Sequence, residues 1–410
     1  MFGGNLMHSL DVDPWMSLAA SLVVFADPLA RNSSSIYRER AQPWLDELVT
    51  AVHDLPPGRL REACETLLAG PGSPQAFRAL ARFGAEAGER AGAEGGCTDK
   101  VLELAVRADS RSRITCELGD LYDPDSPSVT LEHLIDLQLI DGQRRWTPRS
   151  CGAGVAELLV VIPFRARPGA TERVRNLAAC LLALADQSLH RDRYRVLVVE
   201  SDSCPRWTDL VAALADEHLF APGHGPFNKS WAVNVGVVAD TAGSPFVCIL
   251  DADVLCDREF LERNLMRLRR IGVGGLLPYR DLLCLDPGST SRAIADRCVR
   301  GSAVIDPSPL RRFALRRPPG ACVFVRSDVY RSIGGMDERY VGWGGEDDDF
   351  RYRFDHAAPM DSYDDPLWHM HHPASSPLVD GMIANMERIP PLSWVADAPF
   401  GQLTGPRARP

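Results

Sequence analysis

The unbroken apolar run Leu158-Leu159-Val160-Val161-Ile162 limits this chain's fold more than any other feature. A strand with no alternating polar residues has no face to turn to water and is buried on both sides, as in parallel sheets covered by helices. Thr171 to Gln187 then carries Val174, Leu177, Leu181 and Leu184 at helical spacing, while Arg195 to Val199 and Phe246 to Leu250 read as further strands. This alternation predicts an α/β domain, a doubly wound, mostly parallel sheet over residues 151–390, with 391–410 as a C-terminal tail. The first strand is expected to stop at Pro163. Ligands of such sheets sit beyond the carboxyl ends of the strands, positions occupied here by Pro163-Phe164-Arg165, Glu200-Ser201-Asp202 and Asp251-Ala252-Asp253.

Residues 1–150 follow a different pattern. Trp44, Leu45, Leu48, Val49 and Val52, then Leu60, Ala63 and Leu67, recur at helical spacing, with breaks at Pro56-Pro57 and Gly70-Pro71-Gly72. A mainly helical accessory domain is expected, with a linker over Gly84 to Gly96 and a helix beginning near Asp99. Its last part, Ser128 to Thr147, pairs a helical pattern with Asp141-Gly142 and Arg145-Trp146. That part reads either as a winged-helix-like unit or as a packing helix with a hairpin.

A length of 410 residues accommodates two domains, and a net charge of −10 leaves no basic footprint for nucleic acid. Eleven cysteines, an odd number without tight spacing, read as reduced thiols and predict a cytoplasmic protein. The apolar stretch Trp15 to Ala26 is too short to span a bilayer and lacks a basic segment before it. No transmembrane segment or lipid anchor is expected, and peripheral membrane contact stays open.

Asp251 and Asp253 directly follow the third strand, which puts two hard carboxylates at the sheet's ligand edge, suited to Mn²⁺ or Mg²⁺ carrying a pyrophosphate. The same spacing in Asp11-Val12-Asp13 precedes a helix and reads as a cap. Glu346-Asp347-Asp348-Asp349 follows the Gly-rich turn Gly342-Trp343-Gly344-Gly345 and opens a predicted helix. The dipole of that helix favours ionised carboxylates, so the run reads either as an acidic cap or as a site that uses a general base. Three of the ten histidines lie within Trp368-His369-Met370-His371-His372-Pro373. Imidazoles three apart can bring a further ligand to a metal on Asp253, with His372 ahead of His369.

Together, Ile162-Pro163-Phe164-Arg165-Ala166-Arg167, Phe227-Asn228-Lys229-Ser230 with Asn234-Val235-Gly236, the Asp251-Ala252-Asp253 triplet, Gly320-Ala321-Cys322 and the string from Gly342 to Phe350 resemble the β-1,4-galactosyltransferase type. The resemblance extends to chondroitin-polymerase and bacterial family-2 transferases of the GT-A fold, and covers Glu157 to Pro373. It implies a donor pocket of Pro163, Phe164, Arg165, Arg167, Phe227, Lys229, Asp251 and Gly320, with Glu200 or Asp202 on the uracil. It further implies Asp253 on the metal, Asp347 as general base, Glu346 and Asp348 as acceptor-binding acids, and Trp343 closing over the donor. Arg165 and Lys229 read alternatively as surface charges. His369 stands where the galactosyltransferases have Met, and His372 where they have His, an arrangement closer to bacterial relatives with an HxxHP pattern.

The expected reaction is transfer of a hexose or N-acetylhexosamine from a UDP-sugar to the hydroxyl of a glycan, peptide or small-molecule acceptor, with inversion. One rival, a nucleotidyltransferase, would want a basic Gly-rich phosphate loop after the first strand, where Pro163-Phe164-Arg165 stands instead. The other is an inactive scaffold that has kept the fold, which the intact acidic motifs argue against.

Overall fold

The computed structural model describes residues 13–84, 95–125, 127–139, 146–342, 344–373, 385, 388–390, 392–395 and 399–403. They fall into two compact units. The first comprises Met1–Pro124 with Pro307–Arg316, the second Asp125–Asp306 with Arg317–Pro410.

The first unit is built from α1 (Pro14–Ala26), α2 (Pro28–Ser33), α3 (Ser35–His53), α4 (Arg59–Ala69), α5 (Pro74–Ala81) and α6 (Gly95–Arg111). Helix α1 is buried from Ser17 through Val24, as expected of a helix apolar on all sides, and α4, α5 and α6 pack around it. Asp13 caps it by accepting from the backbone N–H of Trp15 at 2.9 Å; Asp11 and Val12 lie outside the described residues. Helices α3 and α4 are separated at Pro56-Pro57, and α4 ends before Gly70. Helix α6 starts at Gly95, earlier than the Asp99 expected from its apolar spacing. Strand β1 (Ile114–Leu118) pairs antiparallel with β9 (Arg311–Arg316).

The second unit opens with α7 (Leu131–Leu139). The turn at Asp141-Gly142 and the strand start at Arg145, on which the winged-helix reading rests, lie outside the described residues. Then come β2 (Leu158–Phe164), α8 (Thr171–Ala185), β3 (Tyr194–Glu200), α9 (Thr208–Leu214), β4 (Glu217–Phe220), α10 (Lys229–Ala239), β5 (Phe246–Leu250), β6 (Val254–Leu255) and α11 (Phe260–Leu268). Strand β7 (Gly275–Leu277), β8 (Asp281–Leu285), α12 (Pro287–Ile294), β10 (Cys322–Arg326), α13 (Ser327–Ser332), α14 (Glu346–Ala357), β11 (Met360–Ser362) and β12 (Leu367–His369) complete it. Seven strands form one sheet in the order β11-β7-β10-β5-β2-β3-β4. The neighbours β5, β2, β3 and β4 run parallel, whereas β10 is antiparallel to both β5 and β7. This is the mostly parallel α/β sheet expected from the alternation of strands and helices.

Strand β2 does not stop at Pro163. It continues to Phe164 beside Glu200 of β3, while its pairing with β5 ends at Val161. From there β3 is its one neighbour among the described residues, so a residue without an N–H costs little. Every residue of β2 is buried. A second small group of strands sets β12 parallel to β8 and antiparallel to β6. The described part of the C-terminal segment packs on this unit, where Trp394 Nε1 donates to Gly334 O at 2.8 Å and Gly401 N to Glu338 Oε1 at 2.6 Å.

Candidate active site

Parallel pairing brings the carboxyl ends of β2, β3 and β5 to one edge of the sheet, and the antiparallel β10 begins at that edge, with Cys322 opposite Leu250. The loops after those strands, the start of α10 and the start of α14 supply the polar groups.

Lys229, the first residue of α10, ties two distant acids together. Its Nζ lies 2.9 Å from Asp251 Oδ1 and 3.2 Å from Asp347 Oδ1. Burial works against the ammonium, yet Asp251, Asp347 and Glu346 outweigh it and hold its pKa well above the usual lysine value. Burial also pushes Asp251 up to about 6, with Lys229 opposing and the negative charges of Asp253 and Asp347 assisting. An antiparallel loop residue supports this corner, since Asp251 N donates to Ala321 O at 2.9 Å. Ala321 adopts φ 74°, a left-handed conformation costing an L-residue roughly 1–2 kcal/mol. Gly320 lies directly against the acid of α14: a Cβ there would stand 2.0 Å from Asp347 Oδ2. Its carbonyl accepts from Tyr279 Oη.

The acidic run is the first turn of α14, and the preceding Gly344 and Gly345 have φ of 99° and 93°, a left-handed pair that residues with side chains seldom adopt. Asp349 belongs to packing, because Arg353 Nε donates to it at 2.7 Å and the pair is buried. Glu346 is buried, and its Oε2 has no hydrogen-bond partner among the described residues. Burial first, then Asp347, push its pKa up to about 7, with Lys229 opposing. Asp348 is half-buried beside them. Trp343 lies outside the described residues.

Glu346 thus holds a proton in the folded chain over a pH window in which an unfolded glutamate, titrating near 4.5, has lost it. Stability from that proton is complete below pH 4.5 and lost as pH rises through about 7. Glu346→Gln is expected to flatten this slope and to gain on the order of 1–3 kcal/mol over the natural chain above neutrality. Urea midpoints on either side of the window, at about pH 4 and pH 8, check it; parallel pH profiles for the two chains would refute it.

Across the turn after β5, Asp253 meets two imidazoles. His372 Nε2 is 2.9 Å from Asp253 Oδ2 and His369 Nε2 is 3.3 Å from Oδ1, with the rings 5.2 Å apart. One oxygen of Asp253 and a nitrogen of each histidine lie within 4.8 Å of one another. Asp253 Oδ1 is buried and accepts no aligned hydrogen bond. His372 Nδ1 lies 3.0 Å from Pro373 O, a contact of the kind that orients a ligating imidazole through its other nitrogen. Despite burial, Asp253 and the neighbouring Cys284 hold His369 well above the usual histidine value. His371 does not join the group; its pKa is lowered, first by burial and then by His372.

At the β2 and β3 ends, Arg165 donates to Gly225 O at 2.7 Å and lies 3.4 Å from Asp202 Oδ1. Burial would raise Asp202, but Ser203 N, Arg206 and Arg165 hold it low. Glu200 is fully buried, accepting from Arg206 N at 2.8 Å and meeting His218 Nε2 at 2.8 Å. Arg165 and Lys229 are therefore not free surface charges. Pro163 and Phe164 are buried within β2, Phe227 packs partly buried against the core, and Arg167 is exposed. Asn176 and Thr290, both fully buried and bonded to the histidine loop, escaped the sequence reading. The available signal was a lone amide within the apolar stretch of α8.

The profile described as glycosyl transferase family 2 matches residues 160–317, and the one described as the N-terminal domain of galactosyltransferase matches residues 311–360. No curated protein sequence matches the chain. Among solved structures, the catalytic domain of Drosophila β1,4-galactosyltransferase 7 in complex with xylobiose is 17% identical, with 60% of this chain and 84% of that chain covered and a TM-score of 0.36. Residues 1–349 of S. aureus TarS are 13% identical over 52% of this chain and 60% of that chain, with a TM-score of 0.37. A Drosophila β1,4-galactosyltransferase 7 mutant in complex with manganese, UDP-Gal and xylobiose is 18% identical over 53% of this chain and 72% of that chain, with a TM-score of 0.32.

Proposed function

Because the chain is a glycosyltransferase of the GT-A fold, we propose that it moves a hexose or N-acetylhexosamine from a UDP-sugar to an acceptor hydroxyl, with inversion at the anomeric carbon. The observation that carries this reading is the convergence of Asp347, Lys229 and Asp251 in one ion-paired group, beside an Asp253, His369 and His372 triad.

Asp347 is the general base. Its carboxylate faces Gly320, where a Cβ would stand 2.0 Å from Oδ2, and takes the proton of the attacking hydroxyl. Lys229 holds that carboxylate in place and presents positive charge between it and the donor side. The orphaned Oε2 of Glu346 and the adjacent Asp348 offer acceptors to sugar hydroxyls, whose burial without a partner would cost about 1–3 kcal/mol each. Arg165, Arg167, Glu200, Asp202 and Phe227 form the nucleotide side, with Pro163 and Phe164 as its floor.

Asp253, His369 and His372 fit a divalent cation: three donor atoms lie within 4.8 Å of one another, and the buried carboxylate oxygen Oδ1 faces His369 without an aligned hydrogen bond. A mixed nitrogen and oxygen set suits Mn²⁺ better than Mg²⁺. Such an ion, when bound, neutralises charge on the departing diphosphate.

The test is release of UDP from a panel of UDP-sugars with Mn²⁺, the natural chain against Asp253→Asn. Slow hydrolysis of one donor, abolished in the variant, is expected. No turnover and no binding of any donor would reinstate the scaffold reading.

A further inference from the structure

The segment between the two imidazoles is held more tightly than a surface loop needs. Met370 N donates to Asp253 O at 2.8 Å, so the histidine loop is bonded to the backbone of the acid it faces. His371 N donates to Thr290 Oγ1 of α12 at 2.8 Å. Asn176 Nδ2 of α8 donates to both remaining carbonyls, Met370 O at 3.3 Å and His371 O at 3.1 Å. All four backbone polar groups of these two residues are therefore satisfied, by three separate elements.

Asn176 is fully buried on a helix whose neighbours Val174, Leu177 and Ala178 are also buried. An amide in such surroundings costs free energy unless bonded, and its Oδ1 is used as well, by Arg175 Nη2 at 2.9 Å. Arg175 reaches His371 O at 3.3 Å. Thr290 is also fully buried. A site built to one geometry needs such outer partners, because ligand orientation and not ligand identity alone sets affinity.

We infer that Asn176 and Thr290 are positioning residues for metal binding, clamping Met370 and His371 so that His369 and His372 face Asp253 at a fixed spacing. This rests on the reading of that triad as the metal site. Neither residue touches the ion or the substrate; each acts through the loop backbone.

The experiment titrates the full-length chain with Mn²⁺ alone, following free Mn²⁺ by electron paramagnetic resonance, for the natural chain and for Asn176→Leu, Thr290→Val, Thr290→Ser and Asp253→Asn. Asn176→Leu is expected to raise the Mn²⁺ Kd about 10- to 100-fold, the usual effect of losing an outer-shell partner. Thr290→Val should raise it about 2- to 10-fold, the worth of one buried hydrogen bond, and Thr290→Ser should restore it. In the transfer assay Asn176→Leu and Thr290→Val should need more Mn²⁺ but keep kcat at saturating Mn²⁺. Folded variants with lowered Tm and an unchanged Kd would overturn the inference, since a purely structural clamp predicts that result. Thr290→Val decides the matter if Asn176→Leu does not fold. Equal Mn²⁺ binding by the natural chain and Asp253→Asn would instead sink the metal reading itself, and the inference with it.

Discussion

Asp347→Asn is expected to lower kcat by about 10² to 10⁴, the usual contribution of a general base, while the fold and donor affinity stay near those of the natural chain. The amide keeps the shape that fills the space against Gly320 and can still meet Lys229 through its oxygen. What it loses is the capacity to accept a proton. Lys229 would then retain one acid, Asp251, instead of two, so a modest change in donor KM is compatible with the proposal. Steady-state transfer with a saturating acceptor checks this. A variant with undiminished kcat would remove Asp347 from the chemistry and leave the acidic run as a helix cap.

The second large effect is expected at a residue with no chemistry of its own. In Gly320→Ala the new methyl would stand 2.0 Å from Asp347 Oδ2 and 2.8 Å from its Cγ, far inside contact distance. Either the carboxylate or the Gly320 backbone must move, and the latter is held by the bond from Tyr279 Oη to the Gly320 carbonyl. The neighbouring Ala321, already at φ 74°, has little freedom to absorb the shift. A displacement of about 1 Å at the base costs on the order of 10²-fold in rate. Activity of Gly320→Ala should fall by at least that factor, with the Tm shifted far less than inactivation by unfolding would require. Full activity would mean that Asp347 moves freely before reaction and that the close packing has no catalytic value.

Much of this site was legible from local sequence. The unbroken run Leu158 to Ile162 called for a strand buried on both faces, and β2 is buried throughout. The carboxylates after Leu250 and the acids after the Gly-rich turn were found by what precedes them, because a strand end and a helix start each have local signatures. Spacing was a poorer guide where two neighbours compete. Pro163 looks like a terminator, yet β2 passes through it because only β3 still pairs there. Strand β9 was not legible at all, since its partner β1 lies about 200 residues earlier and nothing near residues 311–316 announces that pairing.

The local sequence determined which chemical groups stand at two of these ends: Asp251 and Asp253 after β5, and the acids at the start of α14. These follow from periodicity and capping, which act over a few residues. Only the tertiary structure decided their partners. It gave Lys229 to both Asp251 and Asp347, gave Asp349 to Arg353 and faced Asp253 with His369 and His372 while leaving His371 aside. It also spent a buried asparagine and threonine on the loop between them. Such choices depend on distances between elements far apart along the chain, set by the order of strands in the sheet and the packing of helices upon it.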